Sequence, residues 1–269
     1  KSGAKLFIFK VIYISFLKLN YMQDWFAMQF FIRWTINMVF EQLFDDKSST
    51  YTYILASGKG REALIIDPVL EHTDKYLNLL HDLELKLVKV IDTHIHADHI
   101  TGLNELSKRT SCTKIMGDNS KSEVVDLRVQ EDENIKIDNI NLKVMYTPGH
   151  TDCSYSFLMN DRVFTGDTLL INGTGRTDFQ NGNARQQYDS IFNKLLKLPE
   201  STMVFPAHDY NGKQHSTIGS ERKNNPRLQV NSVDQYIEIM DNLKLANPKM
   251  MDVAVPANLK GLTLNQVKA

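Results

Sequence analysis

The segment "IDTHIHADHITG", Ile91 to Gly102, carries three of the chain's eight histidines together with two aspartates. Imidazoles and carboxylates are the side chains that hold transition metals when several converge. In an extended backbone, side chains two residues apart point the same way, so His94 and His96 can reach one centre. Asp98 and His99 follow as the chain turns toward a helix, where they could face a second centre. Three more residues of the same chemistry each follow an apolar run: His150 after "LKVMYTPG", Asp167 after "RVFTG" and His208 after "MVFPA". His72, His81 and His215 have no such company and read as ordinary hydrogen-bonded histidines. The spacing alone leaves both the metal and the reaction open.

These residues must be positioned by strands. "TYTYIL", "ALIID", "LVKVI", "LKVMY", "YSFLM" and "RVFTGD" are short β-rich runs, with a tight turn at Asn160-Asp161. "DKYLNLLHDLEL" places Tyr76, Leu77, Leu80 and Leu83 on one helical face, and "GLNELSKRT" is a second, short helix. "ARQQYDSIFNKLLKL" predicts a helix with Tyr188, Ile191, Phe192, Leu195 and Leu196 inward, closed by Pro199. "SVDQYIEIMDNLKL" opens at a capping-box spacing, Ser232 to Gln235, and is the one clear helix after His208. Mixed strands and helices predict an α/β or α+β layered domain. Strand ends on one edge of such a sheet converge, so the four His- and Asp-bearing loops build one site.

Composition narrows the partners. A formal net charge of -1 gives nucleic acid nothing to bind. The two cysteines, Cys112 and Cys153, make no disulfide framework and fit a reducing compartment. Residues 1–37 are apolar and aromatic, but Lys10 and Lys18 leave Val11–Leu17 as the longest uncharged run, too short to cross a bilayer. With no Ala-x-Ala cleavage pattern and Met38 directly before a strand-like run, residues 1–37 read as a leader or non-native segment. The catalytic domain is then 38–269, with no membrane association expected.

The order H-x-H-x-D-H, His150, Asp167, His208 resembles the metallo-β-lactamase superfamily. That resemblance implies an αββα sandwich with the site on one edge of two packed sheets. In its hydrolases it would place His94, His96 and His150 on one zinc, Asp98, His99 and His208 on a second, and Asp167 between them. Longer stretches are similar to one branch, the persulfide (sulfur) dioxygenases: "FEQLFDDKSSTYTYIL", "IIDPVLE", "FTGDTLLINGTGRTDFQNG", "FPAHDYNG", "ERKNNPRL" and "MDVAVPAN".

This resemblance implies oxidation of glutathione persulfide by O2 to sulfite and glutathione. One non-haem Fe(II) per chain would be held by His94, His150 and Asp167. Two histidines and a carboxylate leave positions open on an octahedral iron, whereas zinc has no redox capacity. His96, Asp98, His99 and His208 would then orient those ligands, with Asp167 and His208 in catalytic roles. Glutathione's carboxylates call for arginine. Arg176 is the foremost substrate candidate, followed by Tyr210 and Arg222, with Arg227 weaker. Thr165 is placed to hydrogen-bond near the Asp167 carboxylate. Cys153 reads as a buried, inert thiol. Thr174 stands where some family members carry cysteine. A homodimer stays open, and the compartment would be the cytoplasm of a bacterium or the mitochondrial matrix of a eukaryote. The alternative is a glyoxalase II-like hydroxyacylglutathione hydrolase with two metals; a non-catalytic binding module would need a broken ligand set, and none of the seven residues is missing.

Overall fold

The computed structural model describes residues 38–248, 250–262 and 266. From Val39 onward the chain forms one compact unit. The reading of residues 1–37 as a leader or non-native segment lies outside the described residues.

Strand β1 (Val39–Asp45) turns back antiparallel onto β2 (Thr50–Ala56), which pairs antiparallel with β3 (Glu62–Ile66). Helix α1 (Thr73–Asp82) then crosses over to parallel strand β4 (Lys86–Ile91). Helix α2 (Leu103–Thr110) crosses to parallel β5 (Thr113–Gly117), and β6 (Leu127–Val129) completes a six-stranded sheet in sequential order. The second sheet runs β12-β11-β10-β9-β8-β7. Its strands are β7 (Asn134–Ile137), β8 (Ile140–Tyr146), β9 (Tyr155–Leu158), β10 (Arg162–Gly166), β11 (Met203–Pro206) and β12 (Ser216–Thr217). β10 and β11 are parallel, and the other pairs are antiparallel.

Each sheet is covered on its outer face by helices. Tyr76, Leu80, Leu103 and Leu106 of α1 and α2 pack with Ile54, Ile65 and Val90 of the first sheet. Helix α3 (Ala184–Tyr188) and its continuation bury Ile191 and Leu195 against Val163 and Val204 of the second. The inner faces meet through aromatics: Tyr53 lies 5.0 Å from Phe164, and Phe40 4.9 Å from Phe205, between ring centroids. The expected αββα sandwich is what forms, as one catalytic domain.

Two helical expectations are corrected. The segment 184–198 is not one regular helix: after α3 it widens into a π-helical stretch, Asp189–Lys194, and tightens into a 3-10 turn, Leu195–Lys197. Widening rotates the inward face, so Ile191 and Leu195 stay in the core while Ser190 Oγ donates to Pro148 O at 2.7 Å. Beyond His208 the described residues form three α-helices, not one: α4 (Ile218–Asn224), α5 (Val233–Asp241) and α6 (Met251–Lys260). α4 is too short to display a period, and α6 carries Pro256 inside it, which a sequence reading takes as a breaker. At α5 Ser232 caps Gln235 N as expected, but Gln235 Oε1 accepts from Asn231 N, one residue before the cap.

Phe164 joins the two sheets from a position 1% exposed. Phe164→Ala should lower unfolding free energy by about 3–5 kcal/mol. Urea denaturation measures this, and a loss under about 1 kcal/mol would mean the sheets do not depend on that contact.

Candidate metal centre

Strand β4 ends at Ile91, and the loop that follows has no regular hydrogen-bond ladder, so its buried polar groups need side-chain partners. Asp67, just after β3, is the first. It is 1% exposed and holds a left-handed φ of 51°. Its Oδ1 accepts from Thr93 N at 2.7 Å and its Oδ2 from Thr93 Oγ1 at 3.0 Å. The single Thr93 hydroxyl proton is thereby committed, so at 3.0 Å Thr93 Oγ1 accepts from His94 Nδ1. His94 is left with a free lone pair on Nε2. Burial, reinforced by the neighbouring imidazoles of His96 and His150, holds His94 well below the usual histidine range, so it stays neutral.

His150 is oriented by a backbone partner from the other sheet. Its Nδ1 donates to Arg176 O at 2.7 Å, and its Nε2 faces Asp167 Oδ2 at 3.5 Å. Asp167 follows β10, and its other oxygen accepts from His208 Nδ1 at 2.7 Å. Burial opposes the charge of Asp167, but the imidazoles of His208, His150 and His94 hold its carboxyl far below the ordinary range. One donor atom each from His94, His150 and Asp167 lie within 4.8 Å of one another. Ring nitrogens of His94 and His150 and a carboxylate oxygen of Asp167 thus converge from three strand ends. Imidazole nitrogen and carboxylate oxygen are donors that a transition metal takes. The residues therefore fit a metal ion.

The remaining histidines behave differently. His208 donates from Nδ1 to Asp167 and from Nε2 to Asp98 Oδ2 at 2.8 Å. Burial disfavours its charge, yet Asp167 and Asp98 hold it well above the usual range, as an imidazolium between two carboxylates. Asp98 Oδ2 also accepts from His99 Nδ1 at 2.9 Å and Thr50 Oγ1 at 3.0 Å. His96 Nε2 donates to Asp67 Oδ1 at 3.1 Å; burial opposes its charge, but Asp67 pushes it up to about 9. The spacing suggests that His94 and His96 share a centre, and their rings are 4.2 Å apart, but His96 turns its Nε2 to Asp67. Other sets do come together: His96, Asp98 and His99, and Asp67, Asp92 and His96. Among the described residues, His96 Nδ1 and His99 Nε2 are buried side-chain atoms without a hydrogen-bond partner.

Close approach by glycine lets the two sheets share the site. A Cβ on Gly166, whose φ is 52°, would sit 2.7 Å from Thr93 Oγ1. A Cβ on Gly175 would meet Asp167 O at 2.2 Å and His150 Nδ1 at 2.8 Å.

The residues expected to meet substrate are placed unevenly. Tyr210 is 69% exposed and stacks on the His208 ring at 6.2 Å and 4°. Arg176 is committed elsewhere: it pairs with both oxygens of Asp178 at 2.6 Å, donates to Ala246 O and lies over the Phe179 ring. Its geometry is that of a loop clamp. Arg222 pairs with Glu200 and Leu196 O, and Arg227 with Thr174. Thr165 Oγ1 donates to Leu169 O, so it braces the loop after Asp167 and leaves the carboxylate to His208. Cys153 is buried beside Thr151, and burial raises its thiol.

Sequence reasoning passed over the polar residues that brace these loops. Asn258 of α6 donates to His96 O at 2.9 Å and His99 O at 3.0 Å and accepts from Thr101 N at 2.9 Å. Gln187 Nε2 donates to Gly175 O at 3.0 Å and its Oε1 accepts from Tyr236 OH. Their signal was a polar residue where a helix face should be apolar.

Two sheets sandwiched by helices, with histidines and aspartates at one edge, define a metallo-β-lactamase-type metal site, and residues 45–208 match the metallo-beta-lactamase superfamily. The mouse mitochondrial protein named persulfide dioxygenase ETHE1 is 43% identical over 226 residues, spanning 83% of this chain and 88% of its own. The crystal structure of ETHE1 from Myxococcus xanthus superposes with a TM-score of 0.81 at 47% identity, covering 82% of this chain and 98% of that one. A hydroxyacylglutathione hydrolase from Dictyostelium discoideum is more distant, 30% identical over 74% of this chain and 76% of its own. The chain belongs to the persulfide dioxygenase family within that superfamily.

Gly175→Ala should push Asp167 and His150 apart and weaken metal binding by about 10–100-fold. Competition with a chromophoric chelator measures this. Unchanged affinity would mean the loop gives way without moving either residue.

Proposed function

We infer that this protein is a persulfide dioxygenase that oxidises the sulfane sulfur of glutathione persulfide with O2 to sulfite, releasing glutathione. The observation that carries the iron assignment is the convergence of His94, His150 and Asp167 with both imidazole tautomers set by outside partners. When bound there, Fe(II) supplies the redox chemistry that lets a sulfur nucleophile react with O2. Thr93 and the Arg176 carbonyl take Nδ1 of each histidine and so aim its Nε2 at the centre. His208 orients the Asp167 carboxylate and holds a proton against it at Nδ1. Tyr210, exposed beside His208, is the residue best placed to contact substrate. One iron per chain is supported by the hydrogen bond between His208 Nε2 and Asp98 Oδ2, which engages His208 away from a second metal.

The mammalian relatives are named as mitochondrial, which supports the mitochondrial matrix if the host is eukaryotic; a bacterial host would place it in the cytoplasm. No helix among the described residues is long and apolar enough to cross a membrane. The homodimer that the family resemblance leaves open is tested by light scattering.

The hydrolase alternative keeps one foothold, the His96, Asp98, His99 set with its two unpartnered nitrogens. Oxygen uptake with glutathione persulfide separates the two. The wild type should consume O2 and form sulfite while leaving lactoylglutathione intact, and Asp167→Ala should lose both iron and O2 uptake. Thioester hydrolysis without O2 uptake would overturn the assignment.

A further inference from the structure

The loop from Asp167 to Arg176 has two backbone groups to deliver at the metal face. Gly175 N donates to Asp167 O at 2.7 Å, and Arg176 O accepts from His150 Nδ1 at 2.7 Å. Within the loop, Leu170 and Gly173 bridge each other, and Asn172 between them takes a left-handed φ of 55°. The residues that follow are held from outside, one after another. Asn172 N donates to Glu221 Oε2 at 2.8 Å, and Gly173 O accepts from Asn225 Nδ2 at 2.9 Å. Thr174 O accepts from Arg227 Nη1, and Gly175 O from Gln187 Nε2 at 3.0 Å. All but Gln187 come from one stretch, "ERKNNPR", at the end of α4 and just beyond it.

Glu221 and Asn225 are the hub of this clamp, and both are 0% exposed. Glu221 Oε2 also accepts from Asn225 Nδ2 at 2.8 Å, and its Oε1 accepts from Ser216 Oγ. Asn225 Oδ1 accepts from Arg227 N at 3.1 Å, so every polar atom of that carboxamide is engaged. Burying an acid among neutral donors costs free energy, and an apolar side chain would fill the inner face of α4 without that cost. What the acid adds is direction: one oxygen gathers the Asn172 N–H and the Asn225 amide, and the second amide proton of Asn225 is thereby turned to Gly173 O. We propose that Glu221 is a positioning residue of the metal centre, setting with Asn225 the register of residues 172–176 so that Arg176 O meets His150 Nδ1. A displacement of about 1 Å at Arg176 O would carry it out of hydrogen-bond reach and free the His150 ring to turn. The proposal rests on the reading of His150 as a metal ligand, and it places the control of that ligand in a segment that touches neither metal nor substrate.

Glu221→Ala leaves Asn172 N and Asn225 Nδ2 without their acceptor. Glu221→Gln keeps the shape: its Oε1 can take both donors while its amide donates to Ser216 Oγ. Two measurements read the outcome. In the metal-free protein with isotope-labelled histidine, NMR should show a His150 Nδ1–H protected from water, assigned by its absence in His150→Ala. Glu221→Ala should lose that signal while the backbone amides of β2 and β3 keep wild-type protection, and Glu221→Gln should retain it. Fe(II) affinity, from competition with a chelator, should fall by about 10–100-fold in Glu221→Ala and return in Glu221→Gln. Asn225→Ala, which removes the bond to Gly173 O and leaves Glu221 in place, should show the same two losses, so the test does not hang on one variant folding. Folded variants with a wild-type His150 signal or wild-type Fe(II) affinity overturn the proposal, as does a loss that Glu221→Gln does not restore. Fe(II) bound by His150→Ala as tightly as by the wild type overturns instead the reading of His150 as a ligand, and the signal in the metal-free protein still decides whether the clamp fixes that ring.

Discussion

Two imidazole nitrogens and a carboxylate oxygen, from His94, His150 and Asp167, converge within 4.8 Å of one another, a donor set that suits a cation. That convergence organises the site. His94 and His150 each turn Nε2 inward, because Thr93 and the Arg176 carbonyl occupy the opposite nitrogen. Thr93 can do this only because Asp67 has taken its hydroxyl proton, and Asp67 reaches Thr93 only from a left-handed backbone position at the end of β3. The polar chain therefore runs from a strand end of the first sheet to the metal face, while Asp167 arrives from the second. The sandwich brings the two together through Tyr53, Phe164, Phe40 and Phe205.

The hydrolase ligand set persists in full, yet its outer half is spent on itself. His208 lies between the carboxylates of Asp167 and Asp98, and Asp98 in turn receives His99 and Thr50. A histidine that donates from both nitrogens offers a metal nothing. His96 pairs its Nε2 with Asp67, while its Nδ1 has no hydrogen-bond partner among the described residues. These residues form a hydrogen-bonded collar beside His94, His150 and Asp167. Removal of one member would strand a buried charge, which costs more than the bond it makes.

The ligand-bearing strand ends were legible because each pairs an apolar run with a histidine or aspartate and a turn residue, a pattern local in sequence. The sandwich and the choice of three ligands came from resemblance to a family, since spacing treats His94 and His96 alike. What distinguishes them, the pairing of His96 with Asp67 across 29 positions, has no local signature. Asn258 stayed hidden for the same reason: its partners at His96, His99 and Thr101 lie about 160 residues away, and its helix contains a proline. Arg176 illustrates the converse. Chemistry suggested a substrate anchor, but Asp178, two residues on, captures its guanidinium within the same loop.

The central claim is one metal on His94, His150 and Asp167. Native mass spectrometry of the metal-free protein titrated with Fe(II), and separately with Zn(II), tests it most directly. The account predicts saturation at one ion per chain with either metal, and none tightly held by Asp167→Ala. Saturation at two ions per chain, with the second lost on mutation of His99 or Asp98, would contradict it.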